Sequence, residues 1–162
     1  MNTYKFRLYP TKETEGKMQW TLNKCRFVYN EMLETLGEGA RKADVQRYII
    51  VLKEEHPELK EALSLVLQCQ CRRLYRNLSN LRKAKLQGRK VGRLKFKGYH
   101  HFNTFEYYNG FKFTPVNKKY GELQLNRIGK IKIRTHREVI GKISYVSINK
   151  EVDKWYANLT TK

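Results

Sequence analysis

The sequence predicts an α+β fold, a small β-barrel with a helical bundle inserted after its first strand. Three observations predict it. Residues 4–9 alternate apolar and polar with a period of two. A block from about residue 11 to residue 88 places its apolar side chains at helical spacing. From Gly92 onward period two returns, in short runs separated by Gly, Asn and Pro. The 162 residues and 40% hydrophobic content suffice for one ordinary domain, or for two small modules sharing a core.

Taken in order, Tyr4, Phe6 and Leu8 alternate with Lys5, Arg7 and Tyr9, the pattern of a half-buried strand that Pro10 ends. Thr11 then reads as a helix N-cap, with Glu13 and Glu15 well placed in the first turn. Met18, Leu22, Cys25, Tyr29, Met32, Leu33 and Leu36 form one stripe, which predicts a helix of about 25 residues closed by Gly37 and Gly39. A second helix is expected from about Asp44 as N-cap, through Val45, Tyr48, Ile49 and Leu52, until His56-Pro57 interrupts it. Glu58 and Glu61 are expected to open a third. Its stripe of Leu63, Leu67, Cys71, Leu74, Leu78 and Leu81 puts Arg72, Arg73, Arg76, Arg82 and Lys83 on the other faces, and Gly88 stops it. Strands follow at 104–108, 111–113, 123–125, 128–134, 142–149 and 155–160, the last two as a hairpin across 150–154. Six short strands plus the first suggest a closed or nearly closed barrel.

Charge is the strongest functional signal. The formal net charge is +19, and residues 72–98 hold eleven of the 34 Lys and Arg residues with no Asp or Glu, which marks a surface for a polyanion. Phe96, Tyr99, His100, His101, Phe102, Phe105, Tyr107 and Tyr108 come next in the chain. Cations neutralise phosphates while flat rings stack on bases, so nucleic acid is the leading partner, unpaired or distorted strands especially. About half of those eight rings are expected to pack in the core instead. A second basic strip runs through Arg127, Lys130, Lys132, Arg134, His136 and Arg137, where Lys130, Lys132 and Arg134 alternate with Ile131 and Ile133. That alternation also fits a merely solvated strand face.

Other classes find little support. No run approaches the length of a membrane span and the first residues lack a signal-peptide core, so cytosol or nucleoid is expected and no membrane partner. Cys25, Cys69 and Cys71 cannot all pair and lack the spacing of a zinc site, so they read as small core hydrophobes. The acidic residues Glu54, Glu55, Glu58 and Glu61 read as a solvated helix face, and His100-His101, taken as strand neighbours, would point to opposite sides. No catalytic group, metal or cofactor is expected within these residues.

The segments YKFRLYPTKE, CRFVYNEML, VLQCQCRRLYRNL, GRLKFKG and IGKIKIRTHREVIGKISYVSINKEVDKWYANL occur in an order and spacing that resembles the N-terminal part of the transposon-encoded TnpB (OrfB) proteins, compact RNA-guided nucleases. The resemblance spans nearly the whole chain. It departs at Leu94, where the family commonly has proline before the Lys-Phe-Lys element, and in GYHHFNTFEYY, which matches only in part. It implies an OB-like barrel, the family's wedge domain, from residues 1–10 and 95–162, and an inserted recognition domain from residues 11–94. Together these would grip a guide-RNA scaffold and read a short DNA motif beside the target. The resemblance also implies that catalysis belongs to a RuvC-like domain beginning just after Lys162. The chain is then either a piece ending before the nuclease or a naturally shortened relative, and should not itself cleave DNA.

The candidate nucleic-acid contacts are therefore Lys5, Arg7, Gln68, Arg72, Arg73, Arg76, Lys83, Lys85, Arg89, Lys90, Arg93, Lys95, Phe96, Lys97, Tyr99, Tyr107, Tyr108, Asn109, Lys132 and Arg134. By the resemblance Gln68, together with Tyr107, Tyr108 and Asn109, would face the DNA motif. The alternative function is a free-standing DNA-binding regulator of helix-turn-helix type, which would prefer duplex DNA without RNA. A metal-dependent enzyme within these residues would need a carboxylate cluster that the sequence does not display. No oligomeric state is implied, and a monomer suffices for either binding function.

Overall fold

A computed structural model describes residues 1–37, 39 and 41–162. It contains seven strands and three helices: β1 (Asn2–Tyr9), α1 (Lys12–Leu36), α2 (Lys42–Glu55), α3 (Ser64–Leu86), β2 (Thr104–Tyr107), β3 (Phe111–Pro115), β4 (Tyr120–Leu125), β5 (Gly129–Arg134), β6 (Ile143–Glu151) and β7 (Lys154–Thr161). Two compact units emerge. One holds Met1–Leu22 and Asn103–Lys162, the other Asn23–Phe102.

In the first unit all strands form one antiparallel sheet in the order β2-β6-β7-β1-β5-β4-β3. The period-two reading of the sequence holds strand by strand. Tyr4, Phe6 and Leu8 of β1, Ile131 and Ile133 of β5, Val146 and Ile148 of β6, and Trp155, Ala157 and Leu159 of β7 are buried on one face. The hydrogen-bonded ladder is open, with β2 and β3 as its edges, so the barrel expected from the sequence is here a seven-stranded sheet without a closing ladder. The sheet nevertheless curls. Seven strands laid flat would separate their edges by about 29 Å, yet β2 and β3 are joined through Tyr108, Asn109 and Gly110 alone. That connection reaches at most about 15 Å. One bond reaches across from the β2 edge: the Tyr107 hydroxyl donates to the carbonyl of Asn126, just past β4, at 2.8 Å, while the Asn126 amide, donating to the Gly110 carbonyl at 2.8 Å, extends the β3–β4 ladder by one pair.

α1 begins as its sequence dictates. Thr11 Oγ1 accepts from the Thr14 amide at 3.3 Å, the expected N-cap bond. Its first turns pack on the apolar side of the sheet, where the Trp155 indole N–H donates to Glu15 Oε1 at 3.3 Å and Lys150 Nζ donates to Gln19 Oε1 at 2.6 Å. Gly37, at φ +63°, ends the helix in a conformation that L side chains rarely adopt. Of the predicted stripe, Met18, Leu22, Cys25, Tyr29, Met32 and Leu33 are buried; the Leu36 side chain lies outside the described residues.

In the second unit the core comprises residues of α1, α2 and α3, among them Val28, Met32, Val45, Ile49, Leu52, Val66, Leu67, Leu74 and Leu78. Two expected boundaries shift. Asp44 is the third residue of α2 and not its cap: Lys42 and Ala43 are good helix formers that extend the helix backward, and the Asp44 carboxylate accepts from the Arg41 amide at 3.3 Å. Glu58 and Glu61 lie in a 3₁₀ turn, Pro57–Glu61, and α3 starts only at Ser64, because Ala62 takes an extended conformation (φ −81°, ψ 154°) that breaks the run. Gly88, at φ +74°, follows the end of α3 as expected.

Candidate nucleic-acid interface

At 100° per residue, Arg72, Arg76 and Lys83 fall within about 40° of one another, and the row extends about 16 Å along α3. They lie opposite Leu67, Cys71, Leu74 and Leu78, all buried, and all three cations are exposed. No acidic residue interrupts the sequence around them. Gln68, also exposed, stands on the flank of this row. Arg73 differs. It is half-buried, with its guanidinium 4.2 Å from the centre of the Phe102 ring and 6.0 Å from that of Tyr29, so part of its role is packing.

Past α3 the chain has no regular structure until Tyr99, yet it is anchored. Asn30 of α1 clamps the backbone of Lys97 twice: its Nδ2 donates to the Lys97 carbonyl at 3.0 Å, and its Oδ1 accepts from the Lys97 amide at 2.8 Å. This is the bonding one strand gives its neighbour, supplied by a side chain. Lys85 in the last turn of α3 is exposed, as are Arg89, Lys90, Arg93 and Lys95 along the segment; Lys97 is half-buried, and Phe96 is 58% exposed. Leu33, Gly37, Arg93, Leu94 and Phe96 line a shallow hollow. Tyr99, 49% exposed, lies 5.4 Å from the Arg26 guanidinium. Tyr99, His100 and His101 form a 3₁₀ turn, which corrects the strand expected there; both histidines are exposed. Of the eight rings after the basic cluster, Phe102, Phe105 and Tyr107 are buried and the other five exposed.

In the sheet unit, Lys5, Lys130, Lys132 and Arg134 are exposed and Arg7 is half-buried, all on the face opposite the apolar side chains. Lys5 pairs with Glu151. Tyr107 is 1% exposed and its hydroxyl is bonded to Asn126, so it is a core residue and not a surface contact as the sequence reading had it. The strand alternation explains this, since Phe105 and Tyr107 share the buried face of β2. Tyr108 is 42% exposed and stacks on Tyr145 with ring centres 4.8 Å apart. Asn109 is exposed, and its side chain accepts from the Gly110 amide at 2.7 Å, shaping the turn.

All three thiols are buried, and two of them are inert by environment. Burial pushes Cys71 up to about 11 and raises Cys25 further, so both stay protonated at neutral pH. Among the described residues no group of three or more His, Cys, Asp or Glu side chains could hold a metal ion, and no helix is long and apolar enough to cross a membrane. Sequence reasoning missed the Asn30 clamp and the Arg26–Tyr99 contact. Neither has a local signature, because each joins positions far apart in the chain.

Residues 1–38 match the family HTH_OrfB_IS605, described as a helix-turn-helix domain. In the structure most of that span is β1 and α1, a strand and one long helix; the next helix, α2, starts beyond it. The chain is also similar to the protein named "Putative RNA-guided DNA endonuclease InsQ" of Escherichia coli (strain K12), with 25% identity over 174 aligned positions. The alignment takes in 100% of this chain and 40% of that relative. The resemblance to TnpB/OrfB proteins drawn from the sequence is upheld by both matches.

Proposed function

We propose that this chain is the nucleic-acid-binding part of a TnpB-type, RNA-guided DNA endonuclease. The curled sheet acts as a wedge-like, barrel-related domain and the inserted helices as a recognition domain, with the division near residues 10 and 95. The observation that carries this reading is the exposed row Arg72, Arg76 and Lys83, continued without an acid to Lys97 and anchored by Asn30. A row fixed on a helix presents its charges at set spacing to a phosphate backbone, and the docked segment after it lengthens the contact at little further entropic cost. Base pairing by the guide then supplies most of the sequence specificity, while the protein holds the scaffold and reads a short flanking DNA motif. Gln68, Tyr108 and Asn109 are the contacts for that motif. The phosphodiester chemistry resides in a metal-dependent catalytic domain of the parent enzyme.

The test is binding of the purified chain to a structured RNA and to duplex DNA across a salt series. The expected result is co-purification with RNA and a logarithmic salt slope of several units, since each phosphate contact contributes about −0.7 to −0.9. A flat salt response, or no RNA preference, would reject it. The helix-turn-helix match of residues 1–38 favours a second reading, a duplex-binding regulator. Duplex preference in the absence of RNA would select that reading.

A further inference from the structure

The outer face of the sheet carries three tyrosines that the reading above leaves without a role. Strand register sets them among the cations: Arg7 lies opposite Tyr156, Tyr9 opposite Lys132, and Arg134 opposite Tyr120. All occupy the alternate positions to the buried Phe6, Leu8, Ile131, Ile133, Trp155 and Ala157. Each ring has a cation against it. Lys5 Nζ lies 4.6 Å from the centre of Tyr156, the Arg7 guanidinium 5.1 Å from that of Tyr9, and Lys132 Nζ 4.0 Å from that of Tyr120. A cation covers at most one face of a ring. The three tyrosines are half-exposed, and the first turns of α1 sit on the opposite, apolar side of the sheet.

The charges on this face are only partly matched. Among the described residues its ion pairs are Lys5 with Glu151 and Lys130 with Glu122, whereas Arg7, Lys132 and Arg134 form none. The Nε of Arg7 is buried and has no hydrogen-bond partner. A sheet face that alternates tyrosine rings with unpaired cations provides what a single polynucleotide strand needs: flat surfaces for bases and charges for phosphates between them. Duplex bases are already stacked and cannot use the rings.

We propose that this face is a stacking platform for an unpaired stretch of polynucleotide, with Tyr9, Tyr156 and Tyr120 taking bases and Arg7, Lys132 and Arg134 taking phosphates. The proposal rests on the nucleic-acid-binding reading but assigns a separate surface and a separate substrate form. Tyr9 and Tyr156 stand on one diagonal of the β1–β7 pair, positions about 7–8 Å apart by sheet geometry, a spacing that suits neighbouring nucleotides.

The experiment measures fluorescence anisotropy of labelled oligouridylate, oligothymidylate and a duplex of equal length with the full chain and its variants. Tyr9→Val, Tyr120→Val and Tyr156→Val keep strand propensity and remove the ring; the corresponding Phe variants keep it. Each Val variant is expected to lose about five-fold to a hundred-fold in single-strand affinity, with duplex affinity unmoved and the Phe variants close to the parent. Tighter uridylate than thymidylate binding would mark RNA as the source of the strand, and equal binding either nucleic acid. Val variants that bind like the parent, or Phe variants that lose as much as Val, overturn the platform. Should a Val variant fail to fold, the parent chain at raised salt decides: retained single-strand preference supports stacking, and equal loss of strand and duplex overturns it. The variant R72E/R76E separates the two readings. It should lose structured RNA and keep oligonucleotide binding, whereas a parent chain that binds no nucleic acid at all would end both.

Discussion

The helical unit and the sheet unit are both rich in cations, but they order them by different means. On α3, Arg72, Arg76 and Lys83 fall into a row because a helix turns 100° per residue, so the spacing is written in the local sequence. On the sheet, Arg7, Lys132 and Arg134 belong to separate strands, and their neighbours Tyr156, Tyr9 and Tyr120 are set by register. A one-residue slip of β5 against β1 would change nothing in either strand's composition and would still move every partner. A helix therefore gives a charged surface that is local and tolerant. A sheet gives one that is collective, mixes residues from distant segments, and depends on the whole fold.

The largest expected effect tests the helical side of that contrast. Replacing Arg72, Arg76 and Lys83 together with Glu should weaken RNA binding by about two orders of magnitude or more and flatten its salt dependence, while thermal unfolding stays near the parent's, since all three are exposed. Filter binding across a salt series and calorimetry check the two halves. Arg73 is left out of the set because its contact with Phe102 would mix packing with binding.

Next in size, Trp155→Ala should cost about 3–5 kcal/mol of stability, as expected for a large aromatic buried to 2% exposure and bonded to Glu15. Because register is collective, the loss should also reduce binding by the sheet face. Denaturant unfolding with an unchanged midpoint would remove Trp155 from the sheet's core.

A smaller effect sharpens the comparison from the helical side. Asn30→Ala strips both bonds from the Lys97 backbone and should cost about 1–3 kcal/mol if its amide is left without a partner. Faster hydrogen exchange at Lys97, with α3 still protected, is the specific signature. Exchange at Lys97 that is the same in the variant as in the parent would mean that the basic segment is not held by Asn30.

Smallest is a gain. Val152, in the β6–β7 turn, sits at φ +59° and is 95% exposed, so a β-branched side chain there is strained and packs against nothing that compensates. Val152→Gly should raise stability by about 0.5–1 kcal/mol after the entropy of glycine is offset. A lower unfolding temperature would show that the turn is not strained at Val152.

Much of this was legible beforehand, and the misses share a cause. The Thr11 cap, the stripe from Met18 to Leu33, the Gly88 stop and all seven strands follow from spacing and turn chemistry within a few residues. Asp44 was misplaced because a carboxylate at the cap and one at the third position leave the same local pattern. Tyr107 follows a basic segment and so reads as a surface ring, whereas β2's alternation puts it beside Phe105 in the core. Arg73 lies beside Arg72 in sequence, yet only Arg73 finds Phe102.

By itself the sequence determined the order of elements, the buried stripe of each helix, the apolar face of each strand and the acid-free cationic row of α3, because these depend on backbone periods and on chemistry within a turn or two. Only the tertiary structure decided the strand order, the open ladder between β2 and β3, the Asn30 clamp on Lys97 and the pairing of tyrosines with cations across the sheet. Those features bring together residues separated by much of the chain, and no local propensity encodes a distance that forms only when the strands have found their partners.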